Sequence, residues 1–185
     1  MKLILLYVPV SVPKTGANPG RPKGKDENII IVRTNDIETF PTRDANGVKS
    51  VAESNLVLKA GAVAIAIYAT PSTIKRFDTG EGDPDAKGWL NNLEFEHPGD
   101  EVALEEFLEN NINENLVAIS SRRNWTSVKI HGTIEEPLQF DAEQQDDKDG
   151  LKSTIKLKSI MRGPKSMVYL GTKPALDTDS GGLGV

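Results

Sequence analysis

The sequence LQFDAEQQDDKDGLKSTIKLK, residues 138–158, decides the fold class of this chain. Apolar and polar side chains alternate on both sides of an Asp149-Gly150 turn signal. A period of two is typical of strands with one buried face, and an Asp-Gly pair accepts the positive φ angles of a tight hairpin turn. We therefore predict an antiparallel hairpin whose acidic strand faces a basic strand on the solvent side. The basic row comprises Lys152, Lys156 and Lys158, and the inward side chains are Leu138, Phe140, Ala142, Leu151, Ser153, Ile155 and Leu157.

Further strands are predicted before and after this hairpin by short runs rich in β-branched and aromatic residues. These runs are residues 28–32, 37–40, 89–95, 116–120, 125–131 and 167–171.

One longer run, residues 56–68, also predicts a strand. Val63, Ile65 and Ile67 alternate with alanines, so both faces are apolar and the strand should be buried or lie against another subunit. A helix is the alternative for an Ala-rich segment, but Gly61 and Pro71 favour the strand. An Asn46-Gly47 pair predicts a further hairpin turn before this strand.

A single amphipathic helix is predicted over residues 100–112, with Asp100 as its N-cap. Its apolar residues recur every three or four positions, and its glutamates occupy the other side. The apolar residues are Leu104, Phe107, Leu108 and Ile112. The fold class is therefore α+β and mainly antiparallel β, a β-sandwich or barrel with one flanking helix and long extended arms or loops.

Length and composition restrict the possible classes of protein. The 185 residues suit one domain, which we place at residues 1–171, followed by a polar tail at residues 172–185. The chain has no Cys, which excludes a disulfide framework and a thiol enzyme. A formal charge of −5, with basic residues scattered along the chain, argues against a dedicated nucleic-acid binder.

Three segments read as irregular or ambiguous. Residues 1–10 resemble a signal peptide, but Pro9 and Pro13 interrupt the apolar run, and a buried strand is favoured. Residues 9–26 contain four Pro and three Gly, which predicts a surface loop or an arm that orders on a neighbouring subunit. Residues 72–90 are expected to form a loop that is acidic from residue 78 onwards. No segment is long and apolar enough to predict a membrane span.

The sequence contains few candidates for catalysis or metal binding. His97 and His131 have no His or Cys companion at the spacing of a metal site, and no nucleophile motif occurs. The acids of the loop, or Asp177 and Asp179 in the tail, could attract a hard cation, but they match no calcium-loop pattern. We therefore expect no enzymatic activity, no cofactor and no metal.

Residues 99–171 contain a series of features that resembles bacteriophage tail-tube proteins. The series begins with the acidic helix ALEEFLE at 103–109 and the buried strand LVAI at 116–119. A strand that closes on a Gly-x-x-x-x-Pro-Leu turn follows at 130–138. The hairpin tip at 147–150 and the terminal YLG at 169–171 complete the order.

The resemblance implies a virion structural protein whose sheets join those of neighbouring copies. Six subunits would form a ring, and stacked rings would form a tube that conducts DNA as non-specific cargo. The partners would be other copies and other virion proteins, without a membrane, in a tail or neck assembled in the host cytoplasm. The candidate subunit-interface residues are Pro9, Pro13, Pro19, Pro22, Val63, Ile65 and Ile67. The candidate channel-facing acids are Asp78, Glu81, Asp83 and Asp85.

Two alternatives remain open from the sequence. The first is another virion role, in head–tail joining, tail termination or decoration. The second is a monomeric β-sandwich that binds a ligand on an aromatic platform, for which Trp89 and Trp125 are the candidates.

Overall fold

A computed structural model describes residues 28–43, 50–99, 102–147 and 150–176. In chain order, the strands are β1 Asn28–Arg33, β2 Ile37–Thr39, β3 Val51–Ala52, β4 Val57–Leu58, β5 Ile65–Tyr68, β6 Lys75–Glu81, β7 Gly88–Pro98, β8 Leu116–Arg122, β9 Thr126–His131, β10 Leu138–Asp147, β11 Gly150–Ser159 and β12 Met167–Tyr169. A helix α1, Val102–Asn111, connects β7 to β8, and a 3-10 turn, Thr34–Asp36, follows β1.

The predicted hairpin is present as β10 and β11, which pair antiparallel along their whole length. Asp141 lies opposite Lys156, whose Nζ is 3.5 Å from an Oε atom of Glu143 on the same face. The predicted match of acidic and basic faces is therefore confirmed at these positions.

Most strands belong to one sheet of ten, in the order β3-β12-β9-β8-β10-β11-β7-β6, with β1 paired to both β8 and β5. Every pairing is antiparallel except that of β12 with β3. β2 and β4 form a separate pair. The prediction of an α+β fold dominated by antiparallel strands is confirmed.

The two strands β1 and β8 lie between two hydrophobic cores. Ile29 and Ile31 of β1 face the first core, whereas Ile30 and Val32 face the second. Residues 116–119 of β8 alternate in the same way. The first core is completed by β7, β10, β11 and α1, and the second by β9, β12 and the segments around β3.

The sheet turns a corner where β9 leads into β10. Gly132 at this corner has φ +76°, and a Cβ atom there would lie 3.0 Å from the Cγ of Leu138. Leu138 pairs with Leu116 at the start of β8, while β9 pairs with the rest of β8. Glycine is suited to this position because it adopts the left-handed conformation without strain.

Helix α1 covers one side of the first core. Leu104 and Phe107 are buried, and the Phe107 ring stacks on Phe140 of β10 with centroids 5.8 Å apart. The side-chain Oδ1 of Asn111 accepts a hydrogen bond from Arg33 Nε at 2.7 Å, which joins the end of α1 to β1. The predicted helix therefore occurs at nearly the predicted bounds, while its proposed cap Asp100 lies outside the described residues.

Two predictions of local structure are wrong. Residues 56–68 do not form one strand, because a turn at Gly61, with φ +82°, separates β4 from β5. Residues 72–90 are not a loop, because β6 and the start of β7 pair over this segment and leave only residues 82–87 as the turn. The Asn46-Gly47 turn and residues 1–26 lie outside the described residues.

Candidate functional site

Strand β6 forms one end of the large sheet and pairs only with β7 among the described strands. Its seven residues pair without a register shift. Arg76 and Asp78 lie opposite Leu93 and Asn91, which are buried in β7, and Gly80 lies opposite the exposed Trp89. Phe77 and Thr79 are exposed on the outer face. The outer face of β6 therefore carries Phe77 and Thr79 between the charged Lys75 and Glu81, whereas the inner face carries Arg76 and Asp78.

The inner surface of β6 is bound to the rest of the fold by a chain of hydrogen bonds. Arg76 Nη1 is 3.4 Å from Ser120 Oγ, and Ser120 Oγ is 2.8 Å from His131 Nε2. His131 Nδ1 is 2.8 Å from Ser166 Oγ, which in turn contacts Asp78 Oδ1. This series of hydrogen bonds thus begins and ends on β6 and passes through β8, β9 and the segment before β12. We call these five residues the β6 relay.

The chemistry of its two ends fixes the direction of every hydrogen bond in the β6 relay. A carboxylate only accepts, so Ser166 donates to Asp78 and must accept from His131 Nδ1–H. His131 Nε2 is then the acceptor for the Ser120 hydroxyl, which itself accepts from the Arg76 guanidinium. His131 is therefore the neutral Nδ1–H tautomer, and all groups of the relay are satisfied.

Burial and neighbouring charge keep His131 neutral. The side chain is 1% exposed, and its pKa is lowered from 6.5 to about 3. Burial is the largest cause, and the positive charges of Arg76 and Lys129 lower the pKa further. Burial also lowers the pKa of Arg76, with a contribution from Arg122.

The β6 relay contains the residue types of a hydrolase triad, but its connections differ. In a triad, the carboxylate binds the imidazole and the imidazole activates the serine. Here Asp78 binds Ser166 instead, and Ser120, His131 and Ser166 are all buried. The arrangement positions β6 across the β8–β9 hairpin rather than exposing a nucleophile.

A second buried polar group fixes the segment next to the relay. Asn91 of β7 accepts a hydrogen bond from the Gly132 amide at 2.9 Å through Oδ1. Its Nδ2 donates to the Pro164 carbonyl at 2.9 Å, and its backbone N–H donates to Ser159 Oγ at 2.8 Å. Asn91 thereby joins the corner of the sheet to the segment that carries Ser166.

An aromatic side chain lies exposed at the edge of the sheet near β6. Trp89 is 40% exposed and lies beside Gly80, where a Cβ atom would be 3.8 Å from the indole ring. Lys165 Nζ lies 5.0 Å from the centroid of the same ring, at the distance of a cation–π contact. Ile160 and Met161, at the end of β11, are also exposed.

The four predicted channel acids occupy two kinds of position. Asp78 is part of the β6 relay and points inward. Glu81, Asp83 and Asp85 are exposed at the end of β6 and in the 82–87 turn. The surface acids of this hairpin are therefore only the latter three.

The predicted interface residues are similarly divided. Ile67 is a member of the first core and Ile65 packs against it, whereas Val63 is 43% exposed. Only Val63 among these three is thus available on the surface. Pro9, Pro13, Pro19 and Pro22 lie outside the described residues.

The two tryptophans do not share one surface environment. Trp125 packs against the second core, contacts the Tyr169 ring edge-on and donates from Nε1 to the Gly171 carbonyl at 3.3 Å. Trp89 contacts Lys165 instead. The two side chains therefore have different partners.

The sequence signals for this site were weak. His131 has no companion at the spacing of a metal site, and no motif in the sequence points to Arg76, Ser120, Ser166 or Asn91. Their partners are far apart in sequence, and Ser166 lies 88 positions after Asp78. A serine at the end of an otherwise apolar strand, as in residues 116–120, was the one available sign of a buried polar group.

Among the described residues, no cluster of His, Asp or Glu side chains is arranged to hold a metal ion. The only described helix, α1, is too short to span a membrane. No family model, curated protein or solved structure matches this chain.

Proposed function

We propose that this chain is a structural subunit of a bacteriophage virion that self-assembles into rings, which stack into a tail tube or a similar channel for DNA. The observation that carries the proposal is the edge strand β6. Its seven residues pair with β7 on one side and with no other described strand on the opposite side. The strand contains no proline and no bulge. Long, regular edge strands favour pairing with another chain.

The side chains of β6 support the same proposal. Phe77 is 44% exposed on the outer face, and Trp89 and Met161 are exposed beside the same end of the sheet. Apolar groups at a sheet edge are typical of surfaces that bind protein. The β6 relay holds the inner face of the strand in one conformation. Because the strand is already ordered, its association with a partner costs little conformational entropy.

The resemblance of residues 99–171 to tail-tube proteins supports the choice of a virion assembly. In such an assembly, the partners would be further copies of the chain and other virion proteins. The exposed acids Glu81, Asp83 and Asp85 are candidates for a channel surface, because negative charge repels the DNA phosphates and allows DNA to pass.

Light scattering and negative-stain electron microscopy over a dilution series test this function. We expect mass to rise with concentration and rings or tubes about 80–100 Å wide, the size expected for six small domains around a pore. Rings that stack support the tube, and rings that do not stack assign the chain to a joining or terminating position. A 20.1 kDa monomer at every concentration would contradict the proposal and favour the ligand-binding alternative.

Two matched variants test whether the edge is the contact. Phe77→Asp introduces a charge on the outer face of β6, whereas Val102→Asp does so on α1, where Val102 is 64% exposed. We expect Phe77→Asp to raise the concentration needed for assembly by at least about tenfold, as a loss of about 1.4 kcal/mol requires. Equal effects of the two variants would show that general surface charge, and not the β6 edge, controls assembly.

A further inference from the structure

Three positively charged side chains lie on one face of the sheet around Ser120. Arg122 follows Ser120 by two positions on β8, and Lys129 of β9 is the paired residue of Ser120. Residues two apart in a strand share a face of the sheet, and so do residues paired across two strands. The third side chain is Arg76 of β6, whose Nη1 lies 3.4 Å from Ser120 Oγ. We call Arg76, Arg122 and Lys129 the cationic cluster.

The cationic cluster has no counterion within the described part of the chain. The ion pairs that the described residues form involve other lysines, Lys75 and Lys156. The carboxylate of Asp78, on the same side of β6 as Arg76, accepts hydrogen bonds from Ser166 instead. Unpaired positive charges that share one face attract anions.

The guanidinium of Arg122 contains a buried donor without an acceptor. Its Nε atom is closed off from solvent and has no hydrogen-bond partner. Among the residues that the structure describes, Ser153 Oγ is the only other buried side-chain nitrogen or oxygen in this state. Because buried donors are almost always paired in folded proteins, the Arg122 N–H indicates that a ligand supplies its acceptor.

Arg76 also retains donors that can bind an anion. Its hydrogen bonds to the Ser120 carbonyl, to Ser120 Oγ and to the Ser127 carbonyl all come from Nη1. Nε and Nη2 take no part in these bonds. A guanidinium presents two parallel N–H groups to the oxygens of one oxyanion. Arg76 and Arg122 together can therefore bind several oxygens of a single anion.

A β-bulge places the two guanidiniums side by side. The register of β8 and β9 shifts between Ser120 and Arg122, where β9 contains one extra residue. Ser127, in this bulge, has φ +50°, and its carbonyl accepts from Arg76 Nη1 at 3.3 Å. Burial is the main cause of the lowered pKa of Arg76, and the nearby charge of Arg122 lowers it further. Bulges often direct side chains toward a functional site.

We propose that the cationic cluster binds a phosphate group, which accepts hydrogen bonds from Arg76 and Arg122 and is neutralised further by Lys129. The guanidinium fork matches the oxygens of phosphate, and a phosphate monoester or inorganic phosphate carries nearly two negative charges at neutral pH. Three positive charges favour such an anion over a singly charged carboxylate. All three side chains are half-buried, which favours a small ligand. The site lies on the inner face of β6, so it is separate from the proposed self-assembly through the edge of that strand.

NMR titration of the full chain with inorganic phosphate tests the site directly. Chloride is exchanged for phosphate at constant ionic strength, so that screening of charge stays unchanged. We expect a saturable shift of the Arg122 Nε–H signal and of the backbone amides around Ser120 and Ser127. Shifts that do not saturate, or that spread evenly over the surface, would overturn the proposal.

Two matched variants test the assignment to the cationic cluster. Arg122→Gln removes a charge without touching the β6 relay, and we expect it to raise the Kd for phosphate at least about tenfold. Arg123→Gln removes the same charge from the next position, which is exposed, and should change Kd by less than about twofold. Equal changes in the two variants would show that general surface charge binds the anion and would overturn the site.

A second probe identifies the source of the phosphate. A short single-stranded DNA offers phosphodiesters, each with one negative charge, whereas inorganic phosphate is a free anion. Stronger binding of inorganic phosphate, with loss in Arg122→Gln, supports a site for a free phosphate or phosphomonoester. Binding of DNA that is lost in Arg122→Gln supports the same site with a nucleic-acid backbone as its ligand. If neither probe depends on Arg122, the proposal is wrong, and the proposed self-assembly is unaffected.

Discussion

His131 joins two charged residues of the same strand that do not contact each other directly in the relay. Arg76 and Asp78 are two positions apart on β6, and their side chains are connected through Ser120, His131 and Ser166. Because each hydroxyl and ring nitrogen has one role, the loss of one member leaves a buried group without its partner. Such groups cost more than the hydrogen bond itself contributes.

The titration of His131 predicts a specific pH dependence of stability. Its pKa is about 3 in the folded chain and near 6.5 when unfolded, so the unfolded state binds the proton first as the pH falls. The stability contribution is therefore complete above about pH 6.5 and is lost toward pH 3, by about 1.4 kcal/mol per pH unit. The free energy of unfolding, measured with urea, should fall between pH 7 and pH 5. The fall should be about 2 kcal/mol larger in the native chain than in His131→Gln. An equal pH dependence in His131→Gln would contradict this account.

The carboxylate of Asp78 should also contribute to stability. Asp78→Ala removes the acceptor of the Ser166 hydroxyl and should lower the free energy of unfolding by about 1–3 kcal/mol, as measured by urea denaturation. Asp83→Ala, in the exposed turn of the same hairpin, is the matched control and should leave stability unchanged. Equal losses in both variants would show that the relay does not anchor β6.

At the scale of elements, the sequence revealed the strands whose pattern depends on one nearby partner. β10 and β11 alternate cleanly because each faces the first core on one side and water on the other. β6 was missed because its inward residues include Arg76 and Asp78, which are buried against distant polar partners and hide the usual alternation. The break at Gly61 was missed because apolar residues continue on both sides of the turn.

Helix α1 should contribute to stability through its buried aromatic ring. Phe107 is buried and stacks on Phe140, so Phe107→Ala should lower the free energy of unfolding by about 3 kcal/mol or more. Val102→Ala, on the exposed side of the same helix, should change it by less than about 0.5 kcal/mol. Thermal and urea unfolding of both variants measure the difference, and similar small losses in both would mean that α1 contributes little to the first core.

At the scale of the whole molecule, the fold class could be predicted and the candidate contact surface could not. Period-two patterns report which residues face a core, and most of the sheet follows from them. The position of β6 at the end of the sheet depends on the order of ten strands, which no local pattern specifies. The same limit applies to the β6 relay, whose members come from four separate segments.

The burial of β1 on both faces has a consequence during synthesis. β1 needs β8 as a neighbour, and the paired residues Ile30 and Ile119 are 89 positions apart. The four apolar residues 29–32 leave the ribosome long before that neighbour exists. Pairings between such distant segments form slowly, and exposed apolar strands aggregate in the meantime. We therefore expect nascent chains that end before residue 116 to depend on chaperones. We also expect the yield of folded protein in cells to rise when the new chain folds at low temperature.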